Sequence, residues 1–543
     1  MSLIARPFFA SSLLLAQGEP LAEVAGRSPS PDSSDAGDSR RPRVGRFRFN
    51  LKAILIVVVF LLGFGLRVYD LTDPPLDFHP ARQLRSALIA RAVFYQLDAH
   101  ADPYLRQQAT NLADLEVYEP PILEALVGFA DHLVGQENFW MGRIFNALFW
   151  VIGGLALYAL GRRYASFYAV LLALAFYFFL PFSVIASRSF QPDPWMVMWI
   201  LWFAYALCRW AEQPGWKWAL ISGALGGVAV LVKLVAIYFV GGMLGAALLA
   251  YWGLRLVRQR QAWAMLALVL APALIYYGLF NAQRSAGFFS FWTVSLSRLV
   301  LTSNFYADWL SMANSLVGLT NFMAALLGVA LAARTIRPLL AGGWIGYGLY
   351  GLMFPYQYVT HEYYHLPLVA LIALSLLPLL DVLLRKLAEQ AWLWRAAAVG
   401  VLLFASFYSV WVSRSVLYAV SYTLEPASWA RVGAAIPEGH SFVALTADYG
   451  MRLRYYGWRN ASAFWPSSGD LRLLALRGDS TLDTQAYFDE ITAGKDYFLV
   501  TAFSELDAQP ELKSILYDHY AIYVEGNGFT VFDLKHSLTD ASP

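Results

Sequence analysis

The sequence predicts a polytopic α-helical membrane protein of about eleven spans, followed by a small C-terminal α/β domain. Three observations carry this. Of 543 residues, 58% are hydrophobic, 16% aromatic and only 14% charged, far from the balance of a soluble chain. From about residue 52 to 413, apolar segments near the ~20 residues a bilayer takes follow one another. After Arg414 the hydropathy falls and short strand-like and helix-like runs alternate. The net charge of +2 leaves no basic footprint for nucleic acid. The single Cys208 lies in an apolar segment, forms no internal disulfide and reads as packing.

Residues 1–50 are rich in Ser, Pro, Asp and Arg and read as a disordered, basic cytoplasmic N-terminus; their apolar run PFFASSLLLA is too short to span. A transmembrane domain is expected over 51–414, with spans centred near residues 60, 152, 177, 202, 225, 243, 271, 323, 346, 374 and 403. With the N-terminus inside, every short inner loop is basic: Arg162 and Arg163, Arg209 and Lys217, Arg255, Arg258 and Arg260, Arg334 and Arg337, Arg385, Lys386 and Arg395. That is the bias the positive-inside rule describes. A large first loop, 67–143, then lies outside, together with SRSFQPD, YQYVTHEYYH and an extracytoplasmic α/β domain over 415–543. In that domain SFVALTA and DYFLVTA read as strands, LDTQAYFDEITAG and QPELKSILYDHY as helices, and AIYVEGNGFTVFDL as a hairpin turning at Asn527-Gly528.

The unusual polar residues therefore gather on one side. Asp77 follows two prolines that end regular structure, with His79 and Arg82 close behind. From Pro80 the spacing of Leu84, Leu88, Ala92 and Phe94 predicts an amphipathic helix, and Arg85 and Arg91 on it read as interfacial anchors. Glu119 adds a second acid before a double proline. Arg188 and Asp193 flank the turn between two spans, and Asp193 suits a helix start. Lys233 lies between two apolar runs, where an ionisable group is costly and marks function. Carboxylates and cations at one membrane surface suit a membrane-anchored anion, such as a lipid phosphate bearing a sugar. A base would take the acceptor's proton, and cations would stabilise the leaving phosphate.

In their order and on their common side, DFHPARQ, EPPILEALVG, RSFQPDP, LVK and HEYYHLPL resemble the bacterial GT-C glycosyltransferases. That superfamily includes the protein O-mannosyltransferases and the lipid A aminoarabinose transferase, glycosyltransferase families 39 and 83. The resemblance covers roughly 50–415 and implies inverting transfer of a sugar from a polyprenyl phosphate to a hydroxyl, on the outer face of a bacterial cytoplasmic membrane. It implies Asp77 as the catalytic carboxylate and Lys233, with Arg82 and Arg188, as donor-phosphate contacts. Glu119, Asp193, His361, Glu362 and Tyr364 would line the pocket or support it. Some members hold a divalent metal, for which Glu119, Asp193 and His361 would be the ligands here. The first-loop motif lacks the Asp-Glu pair of some relatives.

Two other classes compete. HEYYH fits the H-E-x-x-H spacing of zinc proteases, which needs both histidines on one helix face. Pro367, two residues past His365, predicts instead a helix starting there, with HEYYH leading into it. No third ligand is in reach, since Asp381 lies about 24 Å further along a helix. A transporter or flippase of lipid-linked sugars would also suit a cationic outer face, but transporters place polar residues at the midplane and use internal repeats.

Overall fold

The computed structural model describes residues 50–115, 118–478 and 482–538. The expected disordered N-terminus, residues 1–49, lies outside the described residues. Residues 50–543 group as one unit. Helix α1 (Leu51–Val68) starts at Asn50, whose side chain accepts from the Lys52 N–H. A loop leads to α2 (Pro80–Leu97), α3 (Pro103–Leu112) and α4 (Ile122–Val134). The bundle continues with α5 (Met141–Tyr164), α6 (Phe167–Phe179), α7 (Pro181–Arg188), α8 (Asp193–Glu212), α9 (Trp216–Val232), α10 (Ala236–Trp252) and α11 (Arg260–Ile275). Then come α12 (Ala282–Phe289), α13 (Ser303–Val317), α14 (Leu319–Leu331), α15 (Arg337–Met353), α16 (Pro355–Thr360), α17 (Leu366–Ala388) and α18 (Trp392–Leu417).

Each expected span centre falls within these helices or one of two bent pairs. By length and apolarity, six helices among the described residues can cross a membrane, or up to eight if each bent pair is one span. The short α9 and α15, 17 residues each, and the charge-ended α8 fall outside that test.

The bends have local causes. Pro181 has no N–H for the Tyr177 carbonyl, and the chain turns by 59° between α6 and α7. The freed carbonyls are taken up by side chains: Tyr177 O accepts from Ser183 Oγ at 2.6 Å and Trp150 Nε1 at 3.3 Å. Phe178 O accepts from Arg67 Nη1 at 3.1 Å. Arg67 is fully buried, and donates also to Ser187 Oγ, Gly63 O and Ser183 Oγ. A charge inside the bundle is thus spent on a broken helix. The 94° bend between α13 and α14 turns at Gly318, φ 77°. Close approach needs glycine where α10 meets α15. A Cβ on Gly342 would lie 2.2 Å from Gly242 O, and one on Gly242 equally close to Gly342 O.

The C-terminal part carries a five-stranded mixed sheet, order β2-β1-β3-β5-β4, from β1 (Phe442–Leu445), β2 (Ala463–Phe464), β3 (Tyr497–Val500), β4 (Tyr520–Gly526) and β5 (Phe529–Ser537). The expected strands, helices and hairpin are present, with Gly528 at φ 86° in the turn. Strands β1 and β3 pair in parallel, and β3–β5 and β4–β5 antiparallel. Phe442, Leu499 and Val531 face one apolar cluster; Val443, Phe498 and Phe532 face the other. The alternation is the period of two that strands impose.

The expected interfacial role of Arg91 is corrected. Arg91 is 5% exposed and points into protein, not toward lipid. It pairs with Glu137 at 2.9 Å, donates to Tyr455 O at 2.7 Å, and lies over the Tyr455 and Trp458 rings at 3.9 and 4.4 Å. Helix α2 is thus clamped to the C-terminal part rather than floating at an interface.

Candidate functional site

The site forms where the C-terminal ends of α1, α7 and α9 meet the N-terminal ends of α5, α8, α10 and α17. Asp77 sits on the loop after Pro74 and Pro75. Its Oδ1 accepts from Arg143 Nη2 at 2.8 Å and from Gln83 Nε2 at 3.3 Å. Arg143, buried at the start of α5, also donates to Asp73 O and Leu71 O, so one guanidinium holds the whole loop. Gln83 donates to Phe78 O and accepts from the Phe190 N–H. Oδ2 of Asp77 has no hydrogen-bond partner among the described residues.

The cations lie one turn along α2. Arg82 donates to Glu119 Oε1 at 3.2 Å, and Arg85 approaches Glu119 Oε2 at 3.6 Å. Arg85, expected as an anchor, is thus a partner of Glu119. Lys233, between α9 and α10, pairs with Asp193 at 2.8 and 2.9 Å; both are at least 95% buried. A break between two helices lets one ammonium meet the first turn of a third. Tyr363 sits between the cations, with Arg82 4.9 Å and Lys233 5.0 Å from its ring centre. Lys233 also lies over Tyr364, which stacks on Tyr350.

Burial would raise the Glu119 carboxyl, but Arg82, Arg85 and Lys233 win and hold it at about 2. Its value is depressed, so the cluster's stabilisation is present above the ordinary 4.5 and is lost as pH falls through 4.5 toward 2. Glu119→Gln should therefore flatten the acid side of a melting-temperature profile taken from pH 6 to pH 3. An unchanged slope would detach Glu119 from the cations. His361 is lowered too, here in favour of its neutral form: burial first, then His79 and Arg82, push it down to about 4.

Beside these groups opens a cavity of about 240 Å³. Arg82, Glu119, Lys233 and Tyr364 form its polar end, and Ile237, Tyr238, Phe288, Phe289 and Phe354 are among its apolar walls. A charged end joined to an apolar trough can hold an anionic head and a hydrocarbon tail together.

Other expected residues are placed differently. Arg188 is turned onto the loop after α1, donating to Tyr69 O at 2.8 Å and Asp70 O at 2.9 Å, and does not line the cavity. Glu362 is bound to His79 Nε2 at 2.8 Å. His361 ends α16, Glu362–His365 form a single 3₁₀ turn, and α17 begins at Leu366 with Pro367 in its first turn. The two histidines of HEYYH do not share an α-helix. His365 spends Nδ1 on Tyr347 OH and Nε2 on Tyr358 O, at 3.0 and 2.8 Å. Among the described residues no three His, Cys, Asp or Glu side chains gather as a metal site. Glu119 faces arginines, Asp193 faces Lys233, and His361 contacts Thr360. The metal set expected from Glu119, Asp193 and His361 does not fit this geometry.

The sequence reading missed Arg143, Gln83 and Tyr363. Arg143 carried one signal: a cation at a span end on the side where the charge rule expects few.

The profile of the dolichyl-phosphate-mannose-protein mannosyltransferase family matches residues 118–277. No curated protein matches. Among the solved structures that align over most of this chain are two with lipid phosphates bound. One is ArnT from Cupriavidus metallidurans bound to undecaprenyl phosphate: 16% identity, TM-score 0.51, covering 88% of this chain and 97% of that one. The other is the oligosaccharyltransferase AglB from Archaeoglobus fulgidus, in complex with an inhibitory peptide and a dolichol-phosphate: 13% identity, TM-score 0.54, covering 89% and 74%. The chain has the GT-C fold. That is the fold the ordered motifs resemble, and the GT-C likeness extends past the transmembrane bundle into the C-terminal sheet, since it covers 88–89% of the chain.

Proposed function

We propose that this protein is an inverting glycosyltransferase. It moves a sugar from a polyprenyl-phosphate donor to an acceptor hydroxyl on the outer face of a bacterial cytoplasmic membrane, with the N-terminus inside and the C-terminal α/β domain, 415–543, outside. One observation carries the reading: Arg82 and Lys233 line the same cavity as a set of apolar side chains; Asp77 does not line it and stands five residues before Arg82 in the chain. The lipid phosphates named with ArnT and AglB support it. The family profile covers the stretch that holds Glu119, Asp193 and Lys233.

The donor's phosphate sits at Arg82 and Lys233, its tail along Ile237, Phe288 and Phe354. Oδ2 of Asp77 takes the acceptor's proton, while Arg143 and Gln83 hold Oδ1 and so aim the carboxylate. The new C1–O bond forms as the bond from C1 to phosphate oxygen breaks, and the pair left on phosphate is met by the two cations. Phosphate is a good leaving group, so no general acid is required, unlike glycoside hydrolysis. Transport of intact lipid-linked sugars is the second reading; Asp77, held with one oxygen open, favours chemistry.

Purified protein should bind polyprenyl phosphate saturably, read as a rise in melting temperature. Arg82→Gln should weaken that binding about tenfold or more, the loss of a charge-assisted contact. An equal shift in wild type and variant would remove the phosphate from this cavity.

A further inference from the structure

A second cavity, of about 210 Å³, lies between α3 and the C-terminal part and shares no lining residue with the first. Gln108 and Asn111 of α3 line it, with His440, Trp458, Arg459 and Asn460. Ile436 and Phe442 line it too, and belong to the apolar cluster on one face of the sheet. Trp458 is held at φ 52°, a left-handed backbone that a bulky residue adopts only where its surroundings impose it. It is fixed at two points. Gln108 Nε2 donates to Trp458 O at 3.0 Å, and Arg91 lies over the ring at 4.4 Å. Tyr95 meets the ring edge-on at 6.0 Å. The residue is half-buried, and its Nε1–H has no partner among the described residues. Several amide groups are likewise unspent. Gln108 Oε1, Asn111 Nδ2 and the whole Asn460 amide have no partner among the described residues, while Asn111 Oδ1 accepts from Gln107 Nε2 at 2.8 Å. His440 Nδ1 lies 3.2 Å from Glu438 O, which leaves Nε2 as an acceptor. No carboxylate is among the lining residues. Arg459 gives Nε to Gly433 O at 3.1 Å and Nη2 to Ile436 O at 2.8 Å.

We propose that this cavity is a binding site for a neutral saccharide. A sugar hydroxyl both donates and accepts, and so does a side-chain amide. Gln108, Asn111 and Asn460 in one small cavity therefore match a ligand dense in hydroxyls. An indole offers its electron-rich face to the C–H bonds of a sugar ring and its N–H to a sugar oxygen. An anionic ligand calls for open cations, and the one arginine here is largely given to carbonyls. A cationic ligand calls for a carboxylate, which the lining lacks. The site stands apart from the phosphate clamp. Arg91, which covers Trp458, lies about 16 Å along α2 from Pro80, near which Arg82 stands. A glycan that spans this distance rests one sugar on Trp458 while a hydroxyl further along reaches the transfer site. That use, as a hold on an acceptor glycan, rests on the transfer reading above; the binding of a saccharide does not.

The test uses the full chain in lipid nanodiscs and saturation-transfer NMR. The probes are short neutral oligosaccharides of glucose, mannose, galactose and rhamnose, with an uncharged hydrophilic peptide beside them. At least one oligosaccharide should bind saturably. Asn111 and Asn460 are exposed, so the double variant Asn111→Ala/Asn460→Ala should melt within a few degrees of wild type. Its affinity for that oligosaccharide should fall about tenfold or more, the loss of two sets of hydrogen bonds. Its binding of polyprenyl phosphate should not change. Trp458→Asn puts a residue at ease in the left-handed region in place of the ring, and saturation transfer to the sugar should disappear. Equal binding by wild type and the double variant, no binding of any oligosaccharide by wild type, or binding of the peptide in their place would overturn the site. Saccharide binding that follows these expectations in a protein that transfers no sugar would overturn the acceptor use and the transfer reading, and leave the site standing.

Discussion

Asp77→Asn should lower turnover of the lipid-phosphate sugar by about 10²–10⁴-fold and leave donor affinity within about twofold. The substitution is close to isosteric. An asparagine oxygen can still accept from Arg143 and Gln83, and Arg143 keeps its backbone carbonyls at Asp73 and Leu71. The loop therefore stays in place, and only the capacity to take a proton is removed. In the proposed reading the donor binds through Arg82 and Lys233, and neither has a hydrogen bond or ion pair with Asp77 among the described residues. Single-turnover mass spectrometry with measured donor binding separates the two effects. A fall in affinity matching the fall in rate would place Asp77 in donor binding instead.

The second large effect is on folding. Lys233→Met should destabilise the protein by about 3–5 kcal/mol, because Asp193 is left charged and buried without a partner. Asp193 is 1% exposed and its two oxygens both face the ammonium. The double variant Asp193→Leu/Lys233→Met should recover most of that stability, since an apolar pair can replace a buried ion pair at little cost. It should not recover donor binding, because the phosphate has lost a cation. Thermal unfolding in detergent and lipid-phosphate binding, measured on all three proteins, check both halves. A double variant that binds donor like wild type would make Lys233 purely structural.

How much of this could be read in the sequence follows from what each feature depends on. Helices at the expected span centres, the strands and the hairpin at Asn527-Gly528 depend on local hydropathy and turn chemistry, and they are where the pattern put them, while six to eight of the about eleven expected spans are long and apolar enough to cross a membrane among the described residues. The start of α17 at Pro367 likewise follows from one ring lacking an N–H. The gathering of Arg82, Glu119, Asp193 and Lys233 was legible only through a shared membrane side; the pairing of Asp193 with Lys233 across three helices was not. Arg143 meets Asp77 across the first loop, and Gln83 looks like any helix-surface amide until Phe190 packs against it. The arginines show the limit most plainly. Arg188 and Arg91 stand in similar polar stretches to Arg82. Yet Arg188 is spent on carbonyls after α1, and Arg91 on Glu137 and the C-terminal rings. Which way a long cation turns is set by the free acceptors around it, and those are assembled only by the fold.

The central claim is that the donor's sugar–phosphate bond breaks at this site. The direct measurement is mass spectrometry of purified protein incubated with a panel of polyprenyl-phosphate sugars and a membrane extract as acceptor source. The account predicts release of free polyprenyl phosphate with at least one sugar, and none with Asp77→Asn. Donors that remain intact with every sugar, yet cross vesicle membranes when the protein is present, would contradict it and make the protein a transporter.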